Sequence, residues 1–150
     1  MLKEQGDAGI EYLMNGGLGH LVFAARNAIF AKMEVELAPL ELTSAQFIVV
    51  IGAMRGRAHT VNEFCVFAGV DAGAMSRLLD RLEAKGIVRR TRGDADRRQV
   101  QVELTEKGHA LSPQIMPALA RVYEQFLEGF SQDDAVQLQS LLQRLLAKAG

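Results

Sequence analysis

"DAGAMSRLLDRLEAKGIVRRTRGDADRRQVQVELTEKG", residues 71–108, is the stretch from which the fold can be read. In its first half Met75, Leu78, Leu79 and Leu82 recur at i, i+3, i+4 and i+7, the apolar stripe of a helix over about 72–85. At 100° per residue, Gly73, Ser76, Arg77, Asp80 and Arg81 fall on the opposite side. Asp71 stands where an N-cap acceptor is needed, and Gly86 stands where the helix must stop. In the second half the period changes to two. Val100, Val102 and Leu104 alternate with Gln99, Gln101 and Glu103, and with "IVRRT" they predict an antiparallel hairpin turning at Arg92–Asp96.

Upstream, Thr60 and Glu63 form a capping box for a short helix, "VNEFCVFA", and Gly69 makes the tight turn that follows it. Two short helices joined by a glycine turn and followed by a hairpin make a winged helix-turn-helix, here over about 43–104. Thr43 and Gln46 form another capping box for "AQFIVVIGAM", which is apolar nearly all round and reads as the central buried helix. Ahead of it, residues 15–38 have apolar side chains at 18, 21, 22, 25, 29, 33 and 37, and Pro39 ends that helix. Phe23, Phe30 and Val35 lie on its other sides, so it should meet more than one partner surface. Downstream, Thr105 opens a long helix whose Pro113 and Pro117 predict a bend at 112–117 or a broken first turn. Ser131 and Asp134 then cap a last helix with Leu138, Leu141, Leu142, Leu145 and Leu146 on one face. The fold class is mainly α, a single domain spanning 1–150 with one β-hairpin wing.

Composition fits such a domain: 49% hydrophobic and 23% charged residues are ordinary for a soluble globular chain. The longest apolar run, "FIVVIGAM", falls far below the ~20 residues of a membrane helix, and the N-terminus lacks the pattern of an export signal. The expected location is the cytoplasm, with no membrane partner. The net charge of −1 speaks against nucleic acid, but its distribution does not. Arg77, Arg81, Lys85, Arg89, Arg90, Arg92, Arg97 and Arg98 stand within one segment against Asp80, Glu83, Asp94 and Asp96. Such a cluster is an electrostatic footprint for a polyanion.

The chemistry expected is DNA reading. A helix fits the major groove, where Ser76, Arg77 and Arg81 would supply donors to base edges and phosphates. An arginine-tipped hairpin reaches the neighbouring minor groove, the role expected of Arg92, Arg97 and Arg98. Arg89 and Arg90 would serve as strand-surface contacts to phosphate. Asp94 and Asp96 would cap the turn and hold arginines extended. Arg97 and Arg98 are neighbours on a strand and face opposite ways, so one should enter the groove while the other pairs inward, with Asp80 as its partner. The alternative is a winged-helix protein-interaction module without DNA binding, which would need no basic wing. An enzyme is not expected, because no nucleophile–base pair, phosphate-binding glycine loop or metal cluster is readable. His20, His59 and His109 are spread over three elements with no ligand spacing, so neither metal nor other cofactor is expected. Cys65, beside Phe64 and near Phe67, reads as a small buried hydrophobe rather than a redox sensor.

"LTSAQF", "SRLLDRLEAKGIVRR" and "DADRRQVQVELTEKG" resemble the MarR family of bacterial and archaeal regulators, and the resemblance extends from about Leu18 to Leu146. It implies an obligate homodimer whose first and last helical regions, about 15–38 and 106–148, interlock. It also implies a double-stranded palindromic operator and a repressor released by a small phenolic or other aromatic ligand, or by oxidation. The family's effector pocket lies between the dimer helices and the DNA-binding lobe, which would place His20, Arg26, Phe47 and Met54 near it. The sequence departs from the family at Ala72, Gly73 and Ala74, where polar residues are frequent. Base readout would then lean on Ser76, Arg77 and the wing. Two such readers about one helical turn apart, ~34–36 Å, would match a palindrome.

Overall fold

The computed structural model describes residues 10, 16–93 and 99–149. Helix α1 (Leu18–Leu37) runs into a 3₁₀ turn (Ala38–Leu40) that contains Pro39, after which come α2 (Ser44–Met54), α3 (Val61–Ala68) and α4 (Ala72–Ala84). Strands β1 (Val88–Arg92) and β2 (Val100–Leu104) form the wing, followed by α5 (Glu106–Ala110), α6 (Ser112–Phe126) and α7 (Gln132–Leu146).

Local chemistry starts most of these helices where the sequence predicts. Thr43 with Gln46, Thr60 with Glu63 and Ser131 with Asp134 each form a complete capping box. The carboxylate of Asp71 accepts the Ala74 N–H at 2.7 Å. Pro39 ends α1 as expected; the chain leaves through Glu41, which has a left-handed φ of 56°.

The core sits around α2, whose Phe47, Val49, Val50 and Ile51 are buried. Phe64 of α3, Met75, Leu79 and Leu82 of α4, and Val102 and Leu104 of β2 close over it. Ile115, Leu119 and Val122 of α6 belong to the same core, as do Met33 and Leu37 of α1. The strands are antiparallel with Val88 opposite Leu104, Arg90 opposite Val102 and Arg92 opposite Val100. A third, very short strand segment was not legible in the sequence: Thr60 bridges to Gln101, and the Val102 N–H donates to the His59 carbonyl at 2.8 Å.

The expected long helix after Thr105 is divided. Leu111 separates α5 from α6, placing Pro113 in the first turn of α6, where its missing N–H has no helical partner to lose. Pro117 remains inside α6. Helix α7 buries none of its residues against its own chain, and Leu138, Leu141, Leu142, Leu145 and Leu146 stand exposed along it. Leu21 and Phe23 of α1 are likewise each 60% exposed. Among the described residues no single helix is long and apolar enough to cross a membrane.

Candidate nucleic-acid interface

Helix α4 turns its apolar stripe inward and presents Gly73, Ser76, Arg77, Asp80 and Arg81 to solvent. Gly73 matters for what lies above it. A Cβ at that position would meet Arg77 Nη1 at 3.6 Å and Asp71 Oδ1 at 3.3 Å. The Arg77 guanidinium therefore leans back over Gly73, toward the N-terminal end of the helix. The small residues at the start of α4 leave room for a cation that the sequence places one turn later.

Between α4 and the wing lies an open groove of about 550 Å³. Ser76 and Leu79 form one wall, Arg90, Thr91 and Arg92 of β1 the other, and Thr60 and Asn62 at the start of α3 close an end. The structure thus brings Ser76, Arg90 and Arg92 together on one concave surface. Thr60 and Asn62 were not foreseen there. Their exposure through the cap of α3 depends on how α3 packs, which no local pattern encodes.

The arginines do not share one role. Strand alternation puts Arg90 on the same face as buried Val88, and its side chain is only 27% exposed. It donates to Glu83 Oε2 at 2.7 Å and to the Asp80 carboxylate, while the Arg90 backbone N–H donates to Glu83 Oε1 at 2.8 Å. These bonds from Arg90 hold the Glu83 carboxyl below its ordinary range, and the same pair of carboxylates raises the already high pKa of Arg90. Arg90 therefore clamps α4 to the wing. Asp80 pairs with Arg90, which lies on the inner face of β1 across from α4; its expected pairing with Arg97 or Arg98 falls outside the described residues. Glu83 was not singled out from the sequence.

Arg89 faces away from that groove. Its Nε and Nη2 donate to Glu103 Oε2 at 3.1 and 3.0 Å, across the register that sets Arg89 opposite Glu103. It lines a different groove with His59 and His109. Arg77, Arg81 and Arg92 are exposed and, among the described residues, have no carboxylate partner. Asp94, Asp96, Arg97 and Arg98 lie outside the described residues.

The four residues expected around an effector separate. Arg26 lines a cavity of about 180 Å³ between α1, α2 and the α3–α4 unit, with Phe30, Ser44, Ile48, Val70 and Leu78 among its other walls. Its guanidinium carbon lies 4.4 Å from the Phe30 ring centroid. Phe47 is instead a core residue, 5% exposed, because α2 turns that side toward the protein centre. Met54 packs half-buried against the core at the far end of α2, and His20 is exposed near the start of α1. Cys65 is half-buried against the core rather than fully enclosed. Glu63, its neighbour in α3, is held ionised to lower pH by the His59 and Thr60 N–H groups it accepts.

Known proteins share this fold. A family model described as MarR family matches residues 39–99. The multiple antibiotic resistance protein MarR of Escherichia coli is 30% identical over 97% of this chain and 99% of its own length. A crystal structure of a mutant E. coli MarR complexed with operator DNA superposes with a TM-score of 0.77 at 31% identity, over 86% of this chain and 93% of that one. The transcriptional repressor CouR bound to a 23-mer DNA duplex superposes with a TM-score of 0.78 at 28% identity, over 89% of this chain and 94% of that one.

Proposed function

Because the chain belongs to the MarR family of helix-turn-helix transcriptional regulators, we propose that it works as a homodimeric repressor of a palindromic operator, released by a small aromatic or phenolic ligand. It is a DNA-binding regulator and not an enzyme. The observation that carries the proposal is the shared groove: Ser76 of α4, on the exposed helix face that also bears Arg77 and Arg81, and Arg90 and Arg92 of the wing border one concave surface of the same protomer. Both similar proteins with DNA in their structures support that reading.

In this mechanism α4 enters the major groove with Ser76 and Arg77 at base edges and Arg81 at phosphate. Arg92, together with one of Arg97 and Arg98, would reach the adjoining minor groove. The exposed leucines of α7 and the apolar N-terminal half of α1 cover one another across the dimer axis, the burial these faces lack in one protomer. A small aromatic acid would enter the Arg26 cavity, whose volume exceeds the ~150 Å³ known to admit benzene. There it would meet one cation and an apolar wall. To lower operator occupancy a hundredfold, it must favour the misfit dimer spacing by about 2.7 kcal/mol. The place of action is the cytoplasm, where operator DNA is found.

The test is a salt titration of binding to a duplex selected by the protein from a random library. Arg77, Arg81 and Arg92, doubled by symmetry, are six cations, and displacement of one counterion by each gives a log–log slope of about −5. Arg77→Ala should weaken binding by about 1–3 kcal/mol if it reads a base. Binding to DNA that does not weaken with salt would leave the protein-interaction module as the better reading.

A further inference from the structure

The turn that ends the recognition helix is where the connections from both flanking helical regions converge. All three carbonyls of residues 85–87 are taken. That of Lys85 accepts from Lys107 Nζ at 2.7 Å, that of Gly86 from the Thr105 hydroxyl at 2.5 Å, and that of Ile87 from the Thr105 N–H at 3.0 Å. Thr105 caps α5 and Lys107 lies within it, and α5 leads directly into α6. Gly108 presses so close that an added Cβ would lie 2.2 Å from the Ile87 carbonyl oxygen.

The Lys85 side chain reaches in the other direction. Its ammonium donates to Gln46 Oε1 at 2.9 Å and to the Glu41 carbonyl. Gln46 is 2% exposed, and the same amide oxygen accepts the Thr43 N–H at 3.2 Å. Glu41 is, among the described residues, the non-glycine residue at positive φ, which a side chain favours only when its surroundings hold it there. The same turn is tied to α1, because Ser44 donates its N–H and hydroxyl to Glu34 Oε1 at 2.9 and 2.5 Å. A flexible lysine gains little by extending to a partner at a free surface, since side-chain entropy opposes it. Here it spans from the end of α4 to the hinge between α1 and α2, and one of its acceptors is buried.

We propose that Lys85 is a positioning residue for DNA reading: by clasping Glu41 and Gln46 it fixes the recognition helix to the turn from which α1 departs, and so sets the separation of the two DNA-binding lobes. This rests on the homodimer proposed above. The device is geometric; Lys85 itself need not touch DNA.

The experiment uses the full chain with Cys65→Ser and a nitroxide at Val66→Cys, an 84% exposed site on α3. Pulsed electron resonance reads the lobe-to-lobe distance distribution in the free protein. Unlabelled chains are titrated with the selected duplex and with a random duplex. Lys85→Met should at least double the width of the distribution and weaken the selected duplex tenfold or more, with under twofold change on the random one. Lys85→Arg, which still donates, should restore both. A width and an affinity ratio that stay at the wild-type values, even with a lowered melting temperature, would overturn the proposal and leave Lys85 a stabilising residue only. If Lys85→Met does not fold, Lys107→Ala removes one support of the same turn from an exposed side chain. It should widen the distribution by a smaller factor, and no widening overturns the joint. A complete absence of inter-protomer distances would overturn the dimer and the joint together, whereas a distance indifferent to these substitutions overturns the joint alone.

Discussion

Replacing Arg90 with methionine separates its clamping role from a phosphate contact. The substitution keeps the aliphatic stem and leaves the backbone N–H of residue 90 bonded to Glu83 Oε1. What disappears are the guanidinium bonds to Glu83 and Asp80. A charge-assisted hydrogen bond contributes about 1.5–3 kcal/mol when sheltered, and an exposed ion pair about 0–1 kcal/mol. Here Glu83 is 32% exposed and Asp80 60%, so both carboxylates regain water and neither is left buried without a partner. The expected loss is about 1–2 kcal/mol, a fall in melting temperature of roughly 2–8 °C for a chain of this size. The loss should depend on pH. The folded pKa of Glu83 is depressed, so the clamp contributes fully above the ordinary glutamate value near 4.5 and fades as pH falls through the lower folded value. Wild type and variant should therefore converge in acid. Calorimetric melts from pH 3 to 7 measure this, and salt titration of DNA binding runs beside them. The clamp predicts weaker binding with an unchanged salt slope, because a displaced wing loses fit rather than one phosphate. A salt slope smaller by about one with an unchanged melting temperature would refute the clamp and return Arg90 to the backbone contacts.

Three further outcomes are expected. Gly108→Ala should destabilise by about 2–3 kcal/mol in urea unfolding, because the new methyl group meets a backbone oxygen that cannot rotate aside. Leu141→Asp should shift the protein to monomers in sedimentation. Each leucine contributes about 1.5–3 kcal/mol and symmetry counts it twice, so the dissociation constant should rise roughly 10²–10⁴-fold. Benzoate at about a hundred times its dissociation constant should stabilise the wild type by ~2.7 kcal/mol, and Arg26→Ala should abolish most of that shift in a thermal melt.

The parts of this fold legible in the sequence are those encoded within one or two turns. The boxes at Thr43, Thr60 and Ser131 are signals at i and i+3, and the stripe through Met75, Leu79 and Leu82 needs no knowledge of its partners. Arg90 could have been read more closely: if Val88 is buried, alternation turns Arg90 inward and Arg89 outward. Its choice of Glu83 as well as Asp80 depends on how the strand crosses α4, which no spacing specifies. The bridge from Thr60 to Gln101 joins residues 41 positions apart and leaves no periodic trace in a segment this short. The placement of the expected effector residues shows a related limit. Arg26 and Phe47 both lie on helices next to the cavity, but only the rotation of α2 decides that Ile48 lines it while Phe47 enters the core.

A helix that buries nothing in its own chain also has a consequence for the cell. If α7 finds shelter only on a second copy, the assembled species grows with the square of protomer abundance at low expression. Control of the regulated gene would then switch off abruptly as the pool is diluted by growth or thinned by proteolysis. Abundance itself would act as an input to the circuit, alongside any small molecule.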